Sequence, residues 1–369
     1  MKQSSIQWCD DTENPVAGCD GCELWPTIGQ IIAAQVSLIL RFSAVPRTQT
    51  RSYVVSLINE YEVPTELWHD RAGLIQKLRE QYPTVPVGSL IETIEKLFRC
   101  YAGHLHLRWA GRSTHDTSVK ARGYPPVFER PTKFPGRMAK TAKRPDLRGT
   151  DRPGKPWLNG HSRLVFVSDM ADALSEGIDF DYLKAEIIDI VTSPNGCRHI
   201  WLWLTKRPAR MAEFADWLQA NYDQPWPDNL VAMTSVTNRA TRSRIDELRK
   251  VPAKLRGLSV EPLVEPVEVD LAGIDWLIVG GESGAYSREF DLEWARSLRH
   301  QCRSAGTACF VKQFGANAVE DGFPVECDDS HGGDWDEWPE DLRIREFPAV
   351  FRIPVYGGRT EIHAPMHNH

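Results

Sequence analysis

Cysteine thiols are the side chains of this chain whose type and spacing most directly indicate chemistry. Eight cysteines occur among 369 residues, which is too few and too scattered for the disulfide scaffold of a small secreted protein. Cys19 and Cys22 form a Cys-x-x-Cys pair, and Cys100 begins the string Cys-Tyr-Ala-Gly-His. In a reducing compartment, a pair this tight indicates a metal or redox site.

The spacing of these cysteines leaves two kinds of metal site open. Three thiolates on a four-iron cluster would leave one iron free for a chelating ligand. S-adenosylmethionine offers an amine and a carboxylate for that iron, and transfer of an electron into it produces an adenosyl radical. Alternatively, Cys19, Cys22, Cys100 and either His104 or His106 would form a structural zinc site. The spacing alone does not decide between the two.

Short apolar runs from residue 164 onward predict the sheet that positions these groups. Each run is rich in β-branched or aromatic residues, as is typical of parallel strands covered on both faces. The runs lie at 164–167, 200–204, 230–233, around 258, 276–279 and 309–311, with helical patterns at 180–191, 208–220, 240–249 and 290–305. Repeated strand–helix units predict an α/β fold with right-handed crossovers. Six strands in one series favour a partial or closed parallel β/α barrel.

Polar residues follow these runs, and in a β/α barrel the carboxyl ends of the strands converge on one mouth where sites are built. Ser168 and Thr234 also suit helix N-caps, and capping is the interpretation we favour for both. Lys206 and Arg207 differ, because two cations at the start of a helix oppose its dipole. We therefore predict that they bind an anion. The other residues at strand ends are Asp169, Thr205, Ser235, Glu261, Gly280, Gly281, Glu282 and Lys312.

Charge is unevenly distributed along the chain. The net formal charge is −6, yet residues 108–155 contain 13 Lys or Arg against four acids, a local net of +9. Residues 320–346 contain 11 acids against two arginines. A basic segment in an acidic protein indicates a surface that meets an anion, and nucleic-acid phosphate is one interpretation. A solvated linker rich in glycine and proline is the other.

The same patterns divide the chain into segments. We assign residues 1–22 and 100–347 to the β/α barrel, 23–99 to an inserted helical subdomain with four helical patterns, and 348–369 to a C-terminal tail. No run of about 18 apolar residues is present, and the N-terminus lacks the apolar stretch and cleavage site of a signal peptide. We therefore expect a cytoplasmic chain with no membrane partner.

Seven strings occur in a fixed order along the chain and carry a resemblance to a known family. They are NPVAGC, CYA, FVSDMADAL, LTKRP, SVEPL, DWLIVGGESG and FVKQFG. Together they resemble a phage- and bacteria-associated, radical-SAM-like family of unknown function that has three cysteines. That family is similar to spore photoproduct lyase within the radical SAM superfamily. The resemblance covers residues 6–22 and about 100–347.

The resemblance implies a radical SAM barrel with two cofactors and an electron donor as a partner. The cofactors are a [4Fe–4S] cluster held by Cys19, Cys22 and Cys100, and S-adenosylmethionine. Taken with the strand order, it suggests a cofactor-binding set of Tyr101, Ser168, Asp169, Thr205, Lys206, Arg207, Ser235, Gly280, Gly281 and Glu282, and catalytic roles for Lys206, Glu261 and Lys312. The superfamily's compact Cys-x-x-x-Cys-x-x-Cys motif is absent, which leaves Cys9 as the reserve candidate for the second cluster ligand.

The expected activity is abstraction of hydrogen from a substrate by a 5′-deoxyadenosyl radical. The basic segment and the likeness to spore photoproduct lyase favour a nucleobase in DNA, RNA or a nucleotide as the substrate. A zinc-stabilised nucleic-acid-binding protein without catalysis is the alternative, although convergence of Lys206, Glu261 and Glu282 argues against it. A third possibility is a barrel hydrolase or lyase with structural cysteines.

Overall fold

The computed structural model describes residues 6–24, 80, 100, 102–103, 128, 131–283 and 287–352. Of the predicted helical insertion at 23–99, only Glu23, Leu24 and Glu80 belong to the described residues. Tyr101, most of 104–130 and all of 353–369 also lie outside them, and so do both histidines of the predicted zinc site. The predictions made for those positions stay predictions.

A parallel sheet forms the centre of the described chain. The strands are β1 (Asp11–Glu13), β2 (Val16–Ala17), β3 (Thr132–Lys133), β4 (Leu164–Val167), β5 (Ile200–Thr205), β6 (Leu230–Ser235), β7 (Arg256–Val260), β8 (Trp276–Gly280), β9 (Phe290–Asp291), β10 (Ala308–Gln313), β11 (Ala318–Glu320) and β12 (Phe323–Pro324). Seven of them form one sheet in the order β1-β4-β5-β6-β7-β8-β10, and every neighbouring pair is parallel.

The sheet is curled into a half-barrel, so the predicted partial β/α barrel is confirmed at this level. Among the described residues, β1 and β10 stand at opposite ends of the strand order and do not pair with each other, so the barrel is open. All six strands predicted from apolar runs are present. The sheet's edge strand β1 was not predicted.

Strand β1 lacks an apolar run and is held instead by charged and polar partners. Its sequence is Asp-Thr-Glu, and it pairs with β4 in parallel register. Asp11 forms ion pairs with Arg144 and Arg163, and Glu13 accepts a hydrogen bond from the Thr141 hydroxyl at 2.6 Å. An edge strand needs pairing on one side only, so its polar side chains can bind neighbouring segments.

Helices cover the outer face of the sheet. They are α1 (Arg137–Ala142), α2 (Phe180–Leu183), α3 (Asp189–Thr192), α4 (Pro208–Tyr222), α5 (Arg244–Arg249) and α6 (Leu292–Ala305). The π-helical segment Lys184–Ile188 joins α2 to α3, so the helical pattern at 180–191 is continuous but not regular. Helix α6 begins two residues later than predicted, because Phe290–Asp291 pairs with β11. No described helix is both long and apolar enough to cross a membrane.

Alternate side chains of most strands of the large sheet enter two apolar layers. On β5, Trp201 and Trp203 pack in the layer that includes residues of the helices, such as Phe214 of α4. Ile200 and Leu202 point the other way, into a layer with no described residue from α1–α6. This inner layer is closed by residues from outside the strands, which include Trp8, Cys9 and Phe351. Because both faces of the sheet are apolar, polar side chains lie mainly where the strands end.

Candidate functional site

The segment that leaves β1 brings Cys19 and Cys22 to the carboxyl edge of the sheet. Because β1 runs parallel to β4, the chain emerges from both strands at the same edge. Gly18 forms a parallel bridge with Ala171, which follows the end of β4. The Cys19 amide donates a hydrogen bond to the Phe128 carbonyl at 2.8 Å. The cysteine pair is therefore held by backbone contacts at the barrel mouth.

The three predicted ligand thiols share one region. Cys19 is 9% exposed, and Cys22 and Cys100 are half-buried. Burial and, to a smaller extent, Asp172 and Cys22 raise the pKa of the Cys19 thiol to about 12. Burial followed by the Cys22 thiol also raises the pKa of Cys100. Cys22 thus interacts electrostatically with both other thiols, although 77 residues of sequence separate it from Cys100.

The described side chains do not by themselves form a finished metal site. Nowhere in the described ranges do three or more His, Cys, Asp or Glu side chains stand in a metal-ligating arrangement. The three thiols are thus near one another, and their described positions alone do not complete such an arrangement. Cys9, the reserve second ligand, lies in the inner apolar layer beside the start of β4. That position is at the opposite end of the strand from Cys19 and favours Cys22 as the ligand.

Asp172 organises the turn after β5, and sequence reasoning missed it. Its carboxylate is 5% exposed and accepts hydrogen bonds from the Thr205 hydroxyl at 2.8 Å and the Lys206 amide at 2.9 Å. It also forms an ion pair with the Arg207 guanidinium at 2.9 Å. The only signal in the sequence was a second aspartate three residues after Asp169, in the same strand-end string.

Arg207 contacts the candidate ligand segment directly. Its Nη1 and Nη2 atoms lie 3.8 and 3.9 Å from the Cys19 sulfur. Nη2 donates to the Gly21 carbonyl at 2.8 Å and to the Asp20 carboxylate. Burial opposes the charged form, but Asp172, Cys19 and Asp20 together raise the pKa of Arg207 above its usual range. The guanidinium is therefore a fixed cation beside Cys19.

Lys206 interacts electrostatically with the other two thiols. Burial lowers its affinity for a proton, but Cys22, Glu23 and Cys100 outweigh burial and raise the pKa of the ammonium. Its Nζ lies 3.5 Å from the Ser235 hydroxyl at the end of β6. Glu23 is held by a two-point ion pair with Arg244, at 2.6 and 2.9 Å. The predicted residues Lys206, Arg207 and Ser235 therefore belong to the same site as the cysteines.

The end of β4 presents a strained backbone and a buried hydroxyl without a partner. Ser168 has a φ of 74°, a conformation that costs a side-chain-bearing residue about 1–2 kcal/mol. Its Oγ is buried and has no hydrogen-bond partner among the described residues. The next residue, Asp169, accepts a hydrogen bond from Asn14 at 2.5 Å, and burial raises its pKa.

The capping interpretation of Ser168 and Thr234 is wrong. The helix after β4 begins at Phe180, and its N-cap is Asp179, which accepts a hydrogen bond from the Tyr182 amide. Thr234 lies inside β6, where its hydroxyl donates to the Thr205 carbonyl at 2.8 Å. The chain runs for twelve residues between Val167 and Phe180, so Ser168 is too far from the helix to cap it.

A second polar group lies at the ends of β7, β8 and β10. Glu261 forms an ion pair with Lys312, and both side chains are less than one-fifth exposed. Gly280 leaves room for Glu261, because a Cβ on Gly280 would lie 3.3 Å from the Glu261 Cγ and Cδ atoms. Gly281 has even less space around it, since an added Cβ would lie 1.9 Å from the Phe314 carbonyl oxygen.

Glu282 is bound within the chain rather than presented openly to the mouth. Its carboxylate accepts three hydrogen bonds from Arg288: from the amide and Nε at 2.9 Å each, and from Nη2 at 2.7 Å. Only 11% of its side chain is exposed. The glycine pair and Glu282 therefore have clear roles in joining β8 to the segments around it, while their predicted contact with a cofactor stays a prediction.

The described end of the basic segment turns several of its cations inward. Arg152 is 4% exposed and forms an ion pair with Asp10 at 2.7 Å. The Lys155 ammonium donates to the Cys9 carbonyl at 2.7 Å, and burial lowers its pKa. Lys140 and Lys143 are exposed. Part of the +9 charge therefore holds the N-terminal segment, and these two lysines remain available for a phosphate.

Comparison with known proteins identifies one family. No curated protein and no solved structure matches the chain. A family profile matches residues 97–339, about two thirds of the chain, and so spans Cys100 and all the strand-end residues from Ser168 to Lys312. Cys19 and Cys22 precede the matched region. The chain belongs to the family described as "Protein of unknown function (DUF5131)".

Proposed function

We propose that this chain is a radical SAM enzyme in which Cys19, Cys22 and Cys100 hold a [4Fe–4S] cluster. The observation that carries the proposal is the proximity of the three thiols at the carboxyl edge of a half-barrel, where the charge of Cys22 raises the pKa of both Cys19 and Cys100. Chain segments far apart in sequence bring three thiols to the edge where β/α barrels build their sites. Three sulfur ligands suit a cluster that keeps one iron open to a chelating cofactor.

The surroundings of the thiols fit such a group. Lys206 and Arg207 place two cations beside three sulfurs that would be thiolates when ligated. Nearby cations lower the electrostatic cost of burying the negative charge of a thiolate-ligated cluster. When bound, the cluster and S-adenosylmethionine together supply one-electron chemistry that generates a 5′-deoxyadenosyl radical.

The chain's own residues would bind and orient the second cofactor and the substrate. The buried Ser168 hydroxyl lacks a partner among the described residues, so a polar ligand group at the mouth would satisfy it. Asp172 fixes the Thr205–Arg207 turn through three hydrogen-bonded groups. The Glu261–Lys312 pair offers an acceptor and a donor to a polar substrate edge. These positions lie at the ends of separate strands and so face one mouth.

A nucleic acid or nucleotide is the substrate class we favour. The support is the excess positive charge of residues 108–155 and the sequence resemblance described above. Four described cations of that segment are exposed: Lys133 and Arg148 form ion pairs with Asp179 and Asp146, while Lys140 and Lys143 lie on and just after α1. An exposed lysine pair can contact phosphates without reading the base sequence. The bases would then be recognised at the mouth rather than by this segment.

Formation of 5′-deoxyadenosine tests the proposed activity. Anaerobically reconstituted chain is incubated with dithionite and S-adenosylmethionine, and the products are separated chromatographically. We expect 5′-deoxyadenosine from the wild type, none from Cys100→Ala, and wild-type amounts from Cys197→Ala, whose thiol contacts the Pro194 carbonyl instead. Stoichiometric zinc with no iron and no 5′-deoxyadenosine would refute the proposal and support the zinc-stabilised binding protein.

A further inference from the structure

Arg207 forms several contacts with the segment that contains Cys19, and these contacts use most of its hydrogen-bond donors. Two of its nitrogens approach the Cys19 sulfur at 3.8 and 3.9 Å, within hydrogen-bonding distance of sulfur. The same guanidinium binds the Gly21 carbonyl and the Asp20 carboxylate. A guanidinium presents five N–H donors in a fixed plane. Here four groups of the protein already occupy that plane, including Asp172.

The carboxylates around Arg207 fix its direction. Asp172 binds Nη1 from the side of β4, and Asp20 binds Nη2 from the cysteine segment. Asp172 is itself held by the Thr205 hydroxyl and the Lys206 amide, so its position is set by the end of β5. Only 18% of the Arg207 side chain is exposed. The guanidinium therefore cannot change its direction without breaking these two ion pairs.

Arg207 is the positive group in contact with the Cys19 sulfur. The same guanidinium forms ion pairs with the carboxylates of Asp172 and Asp20. Removing the guanidinium would leave the carboxylates of Asp172 and Asp20 uncompensated beside this sulfur. Uncompensated negative charge and lost N–H donors both disfavour adding an electron to a thiolate-ligated cluster.

We propose that Arg207 is a positioning residue for the cluster sulfur of Cys19, which it holds by N–H···S hydrogen bonds and through which it raises the cluster's reduction potential. This inference rests on the proposed function. It also revises the predicted role of Arg207, because a guanidinium committed to Cys19, Asp20 and Asp172 is not the group that binds the carboxylate of S-adenosylmethionine. Lys206, which interacts electrostatically with Cys22 and Cys100, supplies the second cation of the same site.

The test is a redox titration of the reconstituted full-length chain, monitored by electron paramagnetic resonance of the reduced cluster in the absence of S-adenosylmethionine. The variants are Arg207→Gln, which removes charge and donors, and Arg207→Lys, which keeps the charge. Arg210→Gln is the matched control, because Arg210 lies one turn further along α4 and donates to the Ile178 carbonyl instead. Iron and sulfide are measured in every sample.

At a fixed potential, we expect the ratio of reduced to oxidised cluster in Arg207→Gln to fall about tenfold, equivalent to about 59 mV for a one-electron couple. Arg207→Lys should lie between Arg207→Gln and the wild type, and Arg210→Gln should match the wild type. If Arg207→Gln does not retain iron, the Arg207→Lys titration decides.

Three results would overturn the inference, and each has a different meaning. If Arg207→Gln or Arg207→Lys holds the cluster and has the same reduction potential as the wild type, Arg207 does not affect that potential. If that variant instead bound S-adenosylmethionine many-fold more weakly at unchanged potential, Arg207 would be the carboxylate ligand. A wild-type chain that takes up no iron and sulfide would remove the proposed function itself, and the inference with it.

Discussion

At the scale of single residues, the candidate site depends on polar side chains that are held in unfavourable surroundings. Asp172 is a buried carboxylate with three partners, and Ser168 is a buried hydroxyl with none among the described residues. Ser168 also has a left-handed backbone at φ 74°. Unfavourable conformations of this kind persist where the surrounding structure imposes them, often at binding sites.

Replacing Ser168 is expected to separate stability from ligand binding. In Ser168→Gly, relief of the left-handed backbone and loss of a buried unpaired hydroxyl outweigh the greater flexibility of glycine in the unfolded chain, so the free energy of unfolding should rise by about 1 kcal/mol. Affinity for S-adenosylmethionine should fall about tenfold, because one ligand hydrogen bond is lost. Denaturant titration and equilibrium binding measure the two quantities.

Ser168→Ala is the control, because it keeps the backbone strain and removes only the hydroxyl. It should bind S-adenosylmethionine as weakly as Ser168→Gly without the full gain in stability. Wild-type affinity in Ser168→Ala would show that this hydroxyl does not contact the ligand.

The sequence identified most residues of the candidate site but not the contacts among them. Lys206, Arg207, Ser235 and the three cysteines were predicted because their types suit the chemistry and because strand ends converge. Asp172 was missed because a loop aspartate carries no periodic signal, and its importance arises only when the ends of β4 and β5 meet. Likewise, nothing in sequence spacing distinguishes an arginine that binds a ligand from one that binds a neighbouring cysteine.

At the scale of elements, the apolar strands could be predicted and the polar edge strand β1 could not. Apolar runs such as Trp276–Gly280 mark strands buried on both faces, and all six were found. The strand Asp11–Glu13 is stabilised by Arg144 and Arg163, which lie more than 130 residues away. A pattern of hydrophobicity within one segment contains no information about such partners. For the same reason, the helical pattern at 180–191 did not predict that its middle part is π-helical.

Gly281 is expected to be essential for joining β8 to β10. Its amide donates to the Gln313 carbonyl at 3.0 Å, and an added Cβ would lie 1.9 Å from the Phe314 carbonyl oxygen. The Phe314 oxygen is a backbone atom, so a side-chain rotation cannot remove this clash. The two chain segments would have to move apart. We expect Gly281→Ala to lower the free energy of unfolding by about 3 kcal/mol.

Gly280→Ala provides the comparison for this prediction. Its Cβ would meet side-chain atoms rather than backbone, namely the Glu261 Cγ and Cδ at 3.3 Å and the Gln313 Cγ at 3.6 Å, so we expect a loss below about 1 kcal/mol. Urea titrations of the two variants give the difference directly. Equal midpoints would mean that Gly281 is not needed for packing between these segments.

At the scale of the whole molecule, charge is divided between structural and accessible roles. The described cations of the basic segment include Arg152 and Lys155, which hold the N-terminal segment, and Lys140 and Lys143, which are exposed. Net charge alone therefore overstates the surface available to a polyanion. Several ionisable groups are buried, and their burial makes the stability of the folded chain depend on pH.

The exposed lysines should contribute to nucleic-acid binding only through phosphates. If a nucleic acid contacts Lys140 and Lys143, the double variant Lys140→Gln with Lys143→Gln should reduce the slope of log affinity against log salt by about 2 for a duplex. The loss should be similar for unrelated base sequences. Binding with an unchanged slope would exclude these lysines from the interface.

His199 is expected to make the protein less stable in mild acid. Its side chain is fully buried, Nε2 lies 3.0 Å from the Ala142 carbonyl, and burial lowers its pKa in the folded state. Below the ordinary histidine pKa of about 6.5, the unfolded chain therefore binds a proton that the folded chain resists. Stability should fall as pH decreases through that range, by at most about 1.4 kcal/mol per pH unit for this group.

Denaturant titrations between pH 7 and pH 5 check this expectation. His199→Gln should show a smaller loss of stability with falling pH than the wild type. His300→Gln is the control, since His300 is exposed on α6. An identical pH dependence in His199→Gln and the wild type would show that another group is responsible.

The most direct test of the whole account is the iron and acid-labile sulfide content of anaerobically reconstituted chain, measured beside single alanine variants of the candidate ligands. We predict about four iron and four sulfide per wild-type chain, a severe loss in Cys19→Ala, Cys22→Ala and Cys100→Ala, and full loading in Cys197→Ala. Full loading of Cys100→Ala, or zinc in place of iron in the wild type, would contradict the claim that these three thiols form one cluster site.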